Sequence, residues 1–353
     1  MARLRAVVIG CGRMGAGNTS RLEQTIPDGW LPLSHTEALI ATGEVELVGL
    51  CDTSERQLID RGAHYGVKIL ETDYRLLIER VRPDIVTVAT RTPGRAEIVR
   101  HACHHGVKGI YAEKPLENSL QAGEEALVAA REHGVVLFYG VNRRYHSTFR
   151  QARALVHAGA IGEIRHVNVD CGHSQLLWTH PHSVDLLLQF SGSPVAPTHA
   201  WGLLDDSSTA ILSNRKIDSD PIVEHAVFRF ENGVIGTVSR APGWNLRVSG
   251  SKGTLVVHGD GSRIEIDGPS GPYFLDRRVV QVSGQEGATV IAMRELIHHV
   301  RSASPPVQET FIEDGLRMLL ACAWSHLQGN VLVRLRDVPL DLTITGRFRD
   351  TYA

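Results

Sequence analysis

The stretch Ala6-Val7-Val8-Ile9-Gly10-Cys11-Gly12-Arg13-Met14-Gly15 decides how this chain is read. Its first four residues are apolar and mostly β-branched, as in a strand covered on both faces. A Gly-x-Gly-x-x-Gly run follows at once. In a dinucleotide fold the first glycine makes the turn and the second lets the backbone approach a pyrophosphate. The third allows close packing, and helix N–H groups face the anion. Alone the pattern is weak, because glycine turns are common, but its place directly after the first strand strengthens it.

Working outward, strand-like and helical segments alternate. Val45–Cys51, Asp84–Ala89, Gly109–Tyr111 and Val135–Val141 read as strands. Ser34–Ala41, Ser54–Tyr65, Tyr74–Val81, Gly94–His105 and Leu120–His133 read as helices, several with a polar start and a Gly or Pro just beyond the end. This alternation predicts an α/β Rossmann domain, a doubly wound parallel sheet, over residues 1–141. After Asn142 the rhythm changes. A helix over Ser147–Ala158 precedes the strand-like runs Ile164–Asp170, Ile222–Phe230, Val234–Arg240, Leu246–Val248, Thr254–His258, Ile264–Ile266 and Val279–Val282. Turns such as Glu231-Asn232-Gly233 favour antiparallel pairing. Helices near Thr289–Arg301 and Glu313–Leu327 and a strand near Val331–Leu335 complete an α+β domain over residues 142–353, built on one large, mostly antiparallel sheet.

Bulk properties narrow the function. Among 353 residues, 37 Lys and Arg balance 39 Asp and Glu, for a net charge of −2. No basic footprint for nucleic acid and no polybasic membrane segment is present, so neither partner is expected. Cys11, Cys51, Cys103, Cys171 and Cys322 are scattered without a Cys-x-x-Cys pair, which disfavours a disulfide framework or a structural zinc site. Met1–Arg5 runs directly into Ala6–Ile9, too short an apolar stretch for a signal-peptide core, and a cytoplasmic setting is expected.

Asp52 ends the second strand. An acid there can take the ribose hydroxyls of NAD and disfavours a 2′-phosphate, or it can merely cap the next helix. NAD is expected over NADP, although Arg56 could serve a phosphate. Asp52 follows Gly10 by 42 positions, where about 20 is usual. Residues 16–32 therefore look like an insertion. Its Pro27-Asp28-Gly29-Trp30 turn carries an aromatic expected to be exposed, on either a surface loop or a flap over the cleft.

Further motifs accumulate: Thr90-Arg91-Thr92-Pro93, Ala112-Glu113-Lys114-Pro115-Leu116, Asn142-Arg143-Arg144-Tyr145 and Ala158-Gly159-Ala160-Ile161-Gly162. This series resembles the Gfo/Idh/MocA oxidoreductases, the glucose–fructose oxidoreductase and inositol dehydrogenase group, over most of the first domain and the start of the second. The resemblance implies an open-faced sheet, NAD(P)-linked chemistry on a sugar, aminosugar or cyclitol, and homodimers or homotetramers. It puts Thr53, Thr90, Thr92, Pro93, Glu113, Lys114 and Arg144 with the glycine loop and Asp52 at the cofactor. Lys114, Arg143, Trp178 and His182 are implied at the substrate. A lysine in a partly dry site beside a cationic nicotinamide has a lowered pKa, suited to proton transfer or hydroxyl polarisation. Pro115 fixes the backbone of that turn.

His182-Ser183-Val184-Asp185 resembles the family's His-x-x-Asp helix, which makes His182 the second proton-transfer group, with Asp185 orienting the helix or its histidine. An ordinary core histidine is the competing reading. Relatives often carry Asp or Asn four residues before this histidine, and this chain has Trp178, which cannot exchange protons. An Asp–His relay is thus in doubt, leaving Lys114 and His182, with help open to His180. A metal at His180-Pro181-His182 would need a third ligand, for which His173 and His199 qualify by type only, so no metal is expected. The pairs His104-His105 and His298-His299 read as solvated helix positions. Alternatives to the dehydrogenase are a keto-sugar or imine reductase, and a non-catalytic sensor on the same fold.

Overall fold

A computed structural model of the chain describes residues 2–19, 22, 26–192, 194–269, 275–283, 285–302 and 310–345. Part of the insertion, residues 20, 21 and 23–25, lies outside the described residues.

The amino-terminal half runs β1 (Leu4–Ile9), α1 (Arg13–Ala16), α2 (His35–Thr42), β2 (Val45–Cys51), α3 (Glu55–Tyr65), β3 (Ile69–Glu71), α4 (Tyr74–Val81), β4 (Ile85–Val88), α5 (Arg95–His104), β5 (Gly109–Ala112), α6 (Leu120–Glu132) and β6 (Val136–Tyr139). The strands form a parallel sheet in the order β3-β2-β1-β4-β5-β6. Ala6, Val7, Val8, Ile85, Val86 and Ile110 are fully buried, which explains their apolar runs. Ser34, Ser54, Asp73 and Ser119 cap α2, α3, α4 and α6, as their sequence positions suggest. Strand order reverses between β1 and β4, and the loops after these strands open the crevice where such sheets bind ligands. The helix after the glycine turn is a single turn, α1. Among the described residues the next α-helix is α2, which begins at His35, so the insertion stands between two pieces of what is usually one segment.

The second half runs α7 (Ser147–His157), β7 (Ile164–Asp170), α8 (His180–Phe190), β8 (Pro197–Leu204), β9 (Ile211–Ser213), β10 (Lys216–Ile217), β11 (Val223–Phe230), β12 (Ile235–Ser239), β13 (Asn245–Gly250), β14 (Thr254–His258), β15 (Arg263–Pro269), β16 (Leu275–Val280), α9 (Ala288–Ser302), α10 (Thr310–Leu327), β17 (Val333–Arg334) and β18 (Thr343–Ile344). Nine strands form one sheet in the order β16-β15-β14-β13-β7-β12-β11-β8-β17, antiparallel except for the β7–β12 pair. Leu187, Phe190, Met318 and Leu319 of α8 and α10 pack against one face.

Several placements differ from the sequence reading, among them the short strands β3, β9, β10 and β18, which were not expected. Strand β8 was not expected, because Thr198-His199-Ala200-Trp201-Gly202 carries little β-branched character. It forms because α10 must lie close: a side chain at Gly202 would meet the backbone oxygen of Cys322 at 2.5 Å. The strand expected at Val331–Leu335 shrinks to Val333–Arg334 and turns into a 3₁₀ segment. Helix α9, far along the chain, returns to the first sheet. Met293, Leu296 and Ile297 share a core with Ala6, Val8, Ile85 and Tyr111.

Candidate active site

A cleft of about 990 Å³ follows the carboxyl edge of the parallel sheet and reaches the second sheet's side. Gly10 adopts φ +91°, and a side chain there would meet the carbonyl carbon and oxygen of Ala89 at 2.8 Å. At Gly15 it would strike the Gly10 oxygen at 1.6 Å. At Gly12, which lines the cleft, a side chain would meet nothing within 4 Å and would instead fill the cleft. This cradle fits a pyrophosphate lying on bare backbone. Asp52 Oδ2 accepts the Cys11 N–H at 2.6 Å, and Oδ1 accepts the Ser54 N–H at 2.9 Å. The carboxylate thus holds the glycine loop and also caps, while two oxygens retain lone pairs for ribose hydroxyls. Arg13, Met14, Thr53, Thr90, Thr92 and Pro93 line the same end.

Two cofactor expectations need correction, because both side chains turn from the cleft. The Cys11 thiol is buried against the Cys51 carbonyl, leaving only backbone to serve a ligand. Arg144 donates Nε to Asp185 Oδ1 at 3.0 Å, with Nη2 on the same oxygen, and its guanidinium lies 3.7 Å from the Phe311 ring centre. Burial beside a carboxylate satisfies this charge within the core, where it locks the chain's lead-in to α8. Asp185 is therefore committed to the helix rather than to His182. Arg56 is exposed and outside the cleft lining.

The Glu113-Lys114-Pro115 turn sits where β5 ends. Its shape is imposed by buried groups that the motif does not reveal. Arg95 donates to the Pro115 and Thr90 carbonyls, tying the loops after β4 and β5 together. Glu117 accepts the Gly94 and Ala96 N–H groups at the start of α5, at 3.0 and 3.3 Å. His35 Nε2 donates to Glu113 Oε1 at 3.2 Å. Burial alone would raise the Glu113 carboxyl, but the His35 hydrogen bond and the charges of His35, Lys114 and Arg95 hold it below its ordinary value. Lys114 is pushed down to about 8 by burial, with Arg95 and Arg143 adding to the shift and Glu113 and Asp220 opposing it.

Facing Lys114 across the cleft are Trp178, Thr179 and His182. Lys114 Nζ donates to the Trp178 carbonyl and lies 4.5 Å from its indole centre. His182 occupies the first turn of α8. Burial, then Arg143, Lys114 and His180, hold its imidazole well below the usual range, so it is neutral, and its Nδ1 is buried with no protein partner. Arg143 lines the cleft, forked onto Asp260 at 2.7 and 2.8 Å, and lies 4.0 Å from the Trp244 ring centre and 5.3 Å from that of Trp30. Trp30 was expected to be exposed. It is only 7% exposed, because Nε1 donates to the Asp260 carbonyl and the ring packs on His146, and the insertion thereby contributes Trp30 to the cleft wall, beside Leu33 just after it.

His180 does not join the site. Its Nδ1 contacts Ser183 Oγ at 3.2 Å and Cys171 Sγ at 3.5 Å inside the core. His180 and His182 thus face different surroundings and do not converge on one ion, and His173 and His199 do not line the cleft. The residues that sequence reasoning missed, His35, Arg95, Glu117, Asp220, Trp244 and Asp260, carry no local signal, since each acts on a partner distant in the chain. The five cysteines are buried and form no disulfide, and among the described residues no helix is long and apolar enough to cross a membrane.

Residues 4–141 match the oxidoreductase family described as GFO_IDH_MocA, NAD-binding Rossmann fold. Myo-inositol 2-dehydrogenase of Thermotoga maritima is 25% identical over 95% of this chain and 99% of its own length. An NAD-binding oxidoreductase from Klebsiella pneumoniae superposes with a TM-score of 0.76 at 17% identity, covering 95% of this chain and 99% of that one. A levoglucosan dehydrogenase complexed with NADH and L-sorbose gives the same score and identity, covering 96% and 100%. The match to that oxidoreductase family's NAD-binding Rossmann fold thus covers residues 4–141, and the likeness to the dehydrogenases extends over nearly the whole chain.

Proposed function

We propose that this protein oxidises a secondary hydroxyl of a neutral sugar or cyclitol with NAD, and that Lys114 and His182 handle the proton. The observation that carries this reading is the meeting of Lys114 and His182 on one cleft that begins at the glycine loop. NAD bound along that loop supplies the hydride acceptor. The carbinol C–H bond breaks with its electron pair, the O–H proton passes to His182, and a ketone remains. His182 suits this role because burial and two neighbouring cations keep it unprotonated. Lys114, lowered to about 8, is still mostly an ammonium at neutral pH, and it polarises the hydroxyl oxygen and stabilises the charge that develops there. Beside Lys114, Trp178, the most open of the tryptophans in the cleft wall, offers an aromatic face suited to the C–H face of a sugar ring. The pairing of Arg143 with Asp260 argues for a substrate without net charge. The names of the relatives, an inositol dehydrogenase and a levoglucosan dehydrogenase, point to the same substrate class.

The test is steady-state kinetics on a panel of sugars, aminosugars and inositols, following reduced cofactor. Lys114→Ala and His182→Ala should each lower kcat about 10²–10⁴-fold while NAD binding survives. Intact kcat at saturation in either variant, with NAD binding lost, would assign those residues to cofactor positioning instead.

A further inference from the structure

The site lacks a carboxylate on the segment leading into α8, where Trp178 stands, yet a buried carboxylate reaches this segment from elsewhere. Asp220 lies just before β11, 7% exposed, and lines the cleft. Its Oδ1 accepts the Leu177 N–H at 2.7 Å, and its Oδ2 accepts the Trp178 N–H at 2.9 Å. The carbonyl of the same Trp178 accepts from Lys114 Nζ. Two consecutive backbone N–H groups are thus clamped by one carboxylate, and the next polar group along that backbone receives the ammonium. We infer that Asp220 is a positioning residue for the oxidation, fixing Lys114 through the Leu177–Trp178 backbone and supplying the negative charge that the α8 lead-in does not. This inference rests on the reading of Lys114 and His182 given above.

The physical case has two parts. Charge-assisted bonds to a carboxylate are roughly twice as strong as neutral ones, so removing the charge loosens the 177–178 backbone and lets the Trp178 carbonyl drift. The charged and titratable groups that face Lys114 are Glu113, Arg95, Arg143, Asp220 and the neutral His182. Of these carboxylates, Glu113 is engaged by His35 at 3.2 Å, whereas Asp220 holds the backbone of Trp178, whose carbonyl receives the Lys114 ammonium. Deleting a negative charge makes the ammonium easier to deprotonate, so the pH at which Lys114 loses its proton falls.

The experiment is the pH profile of kcat/KM for oxidation of the best substrate, for the intact protein and for Asp220→Asn, Asp220→Glu and Trp178→Ala. The unsubstituted protein should lose activity as pH rises through about 8, where Lys114 deprotonates. Asp220→Asn should lower kcat/KM about 10–100-fold and move that alkaline limb down by at least about half a pH unit, with NAD affinity within twofold. Asp220→Glu restores the charge and should return the limb toward its original position. Trp178→Ala keeps the carbonyl and should raise KM. An unmoved limb in Asp220→Asn, with activity falling only in step with the melting temperature, would overturn the inference in favour of a purely structural role. Unchanged kinetics would overturn it as well. Full activity of Lys114→Ala would instead overturn the reading of the reaction, and with it the role given to Asp220.

Discussion

At the scale of single residues, Asp52 does two jobs with one carboxylate. It anchors the Cys11 and Ser54 N–H groups and projects its remaining lone pairs into the cleft. A 2′-phosphate placed there would confront an anion already fixed by the backbone, and like charges brought together cost several kcal/mol. Calorimetric titration should therefore show NAD bound at least about tenfold more tightly than NADP, tenfold being about 1.4 kcal/mol. Equal affinities would defeat the assignment. Asp52, Lys114 and His182 were legible because each follows a recognisable strand, turn or helix start. Asp220 and His35 were not, because their meaning lies in which N–H or carboxylate they meet.

At the scale of elements, α8 is the device that presents His182, and Arg144 sets its position. Asp185 is 2% exposed and bonded to Arg144 and to Gln189 Nε2 at 2.7 Å. Burial raises its carboxyl pKa, while Arg144, Gln189 and Arg153 pull it back. Arg144→Met would leave a buried carboxylate without its counter-charge, a change that costs about 3–5 kcal/mol. Thermal or urea unfolding at neutral pH should show a loss of that order. The sign with pH follows from linkage: without Arg144 the folded-state pKa rises further, so protonated Asp185 is tolerated and the deficit shrinks toward acidic pH. A variant as stable as the parent, or one whose deficit grows in acid, would contradict this account. The Arg-Arg-Tyr motif was visible in the sequence, but the division of labour between Arg143 at the cleft and Arg144 in the core was not.

On the scale of the whole molecule, the described helices of the nine-stranded sheet pack on one face. The other face has a polar centre, an apolar flank on β8 and β11, and a charged flank on β13 to β16 with Arg247, Glu265, Asp267 and Arg277. Thr237 Oγ1 donates to Asn168 at 2.7 Å, and Ser239 Oγ donates to Asp170 at 2.6 Å. Trp201, Leu203 and Val227 lie partly open beside them. A second copy covering this face would bury those side chains and leave the polar ladder bonded within its own sheet. Sedimentation equilibrium at micromolar concentration should accordingly report a dimer or tetramer, and a monomer throughout that range would refute it.

The first domain was written locally in the sequence. Buried parallel strands are continuous apolar runs, the glycine loop follows β1 without a gap, and each capping side chain sits within three residues of the N–H it serves. Those features arise between neighbours in the chain, so the chain alone displays them. Tertiary structure decided the rest. It brought α9 back onto the first sheet, shaped β8 around Gly202 against α10, drew Trp30 inward, paired Arg143 with Asp260, and set Asp220 beneath Trp178. The physical reason is common to all five. A buried side chain, charged or apolar, or a close backbone approach is stabilised only by the partner that folding delivers, and nothing in the local pattern of either residue names that partner.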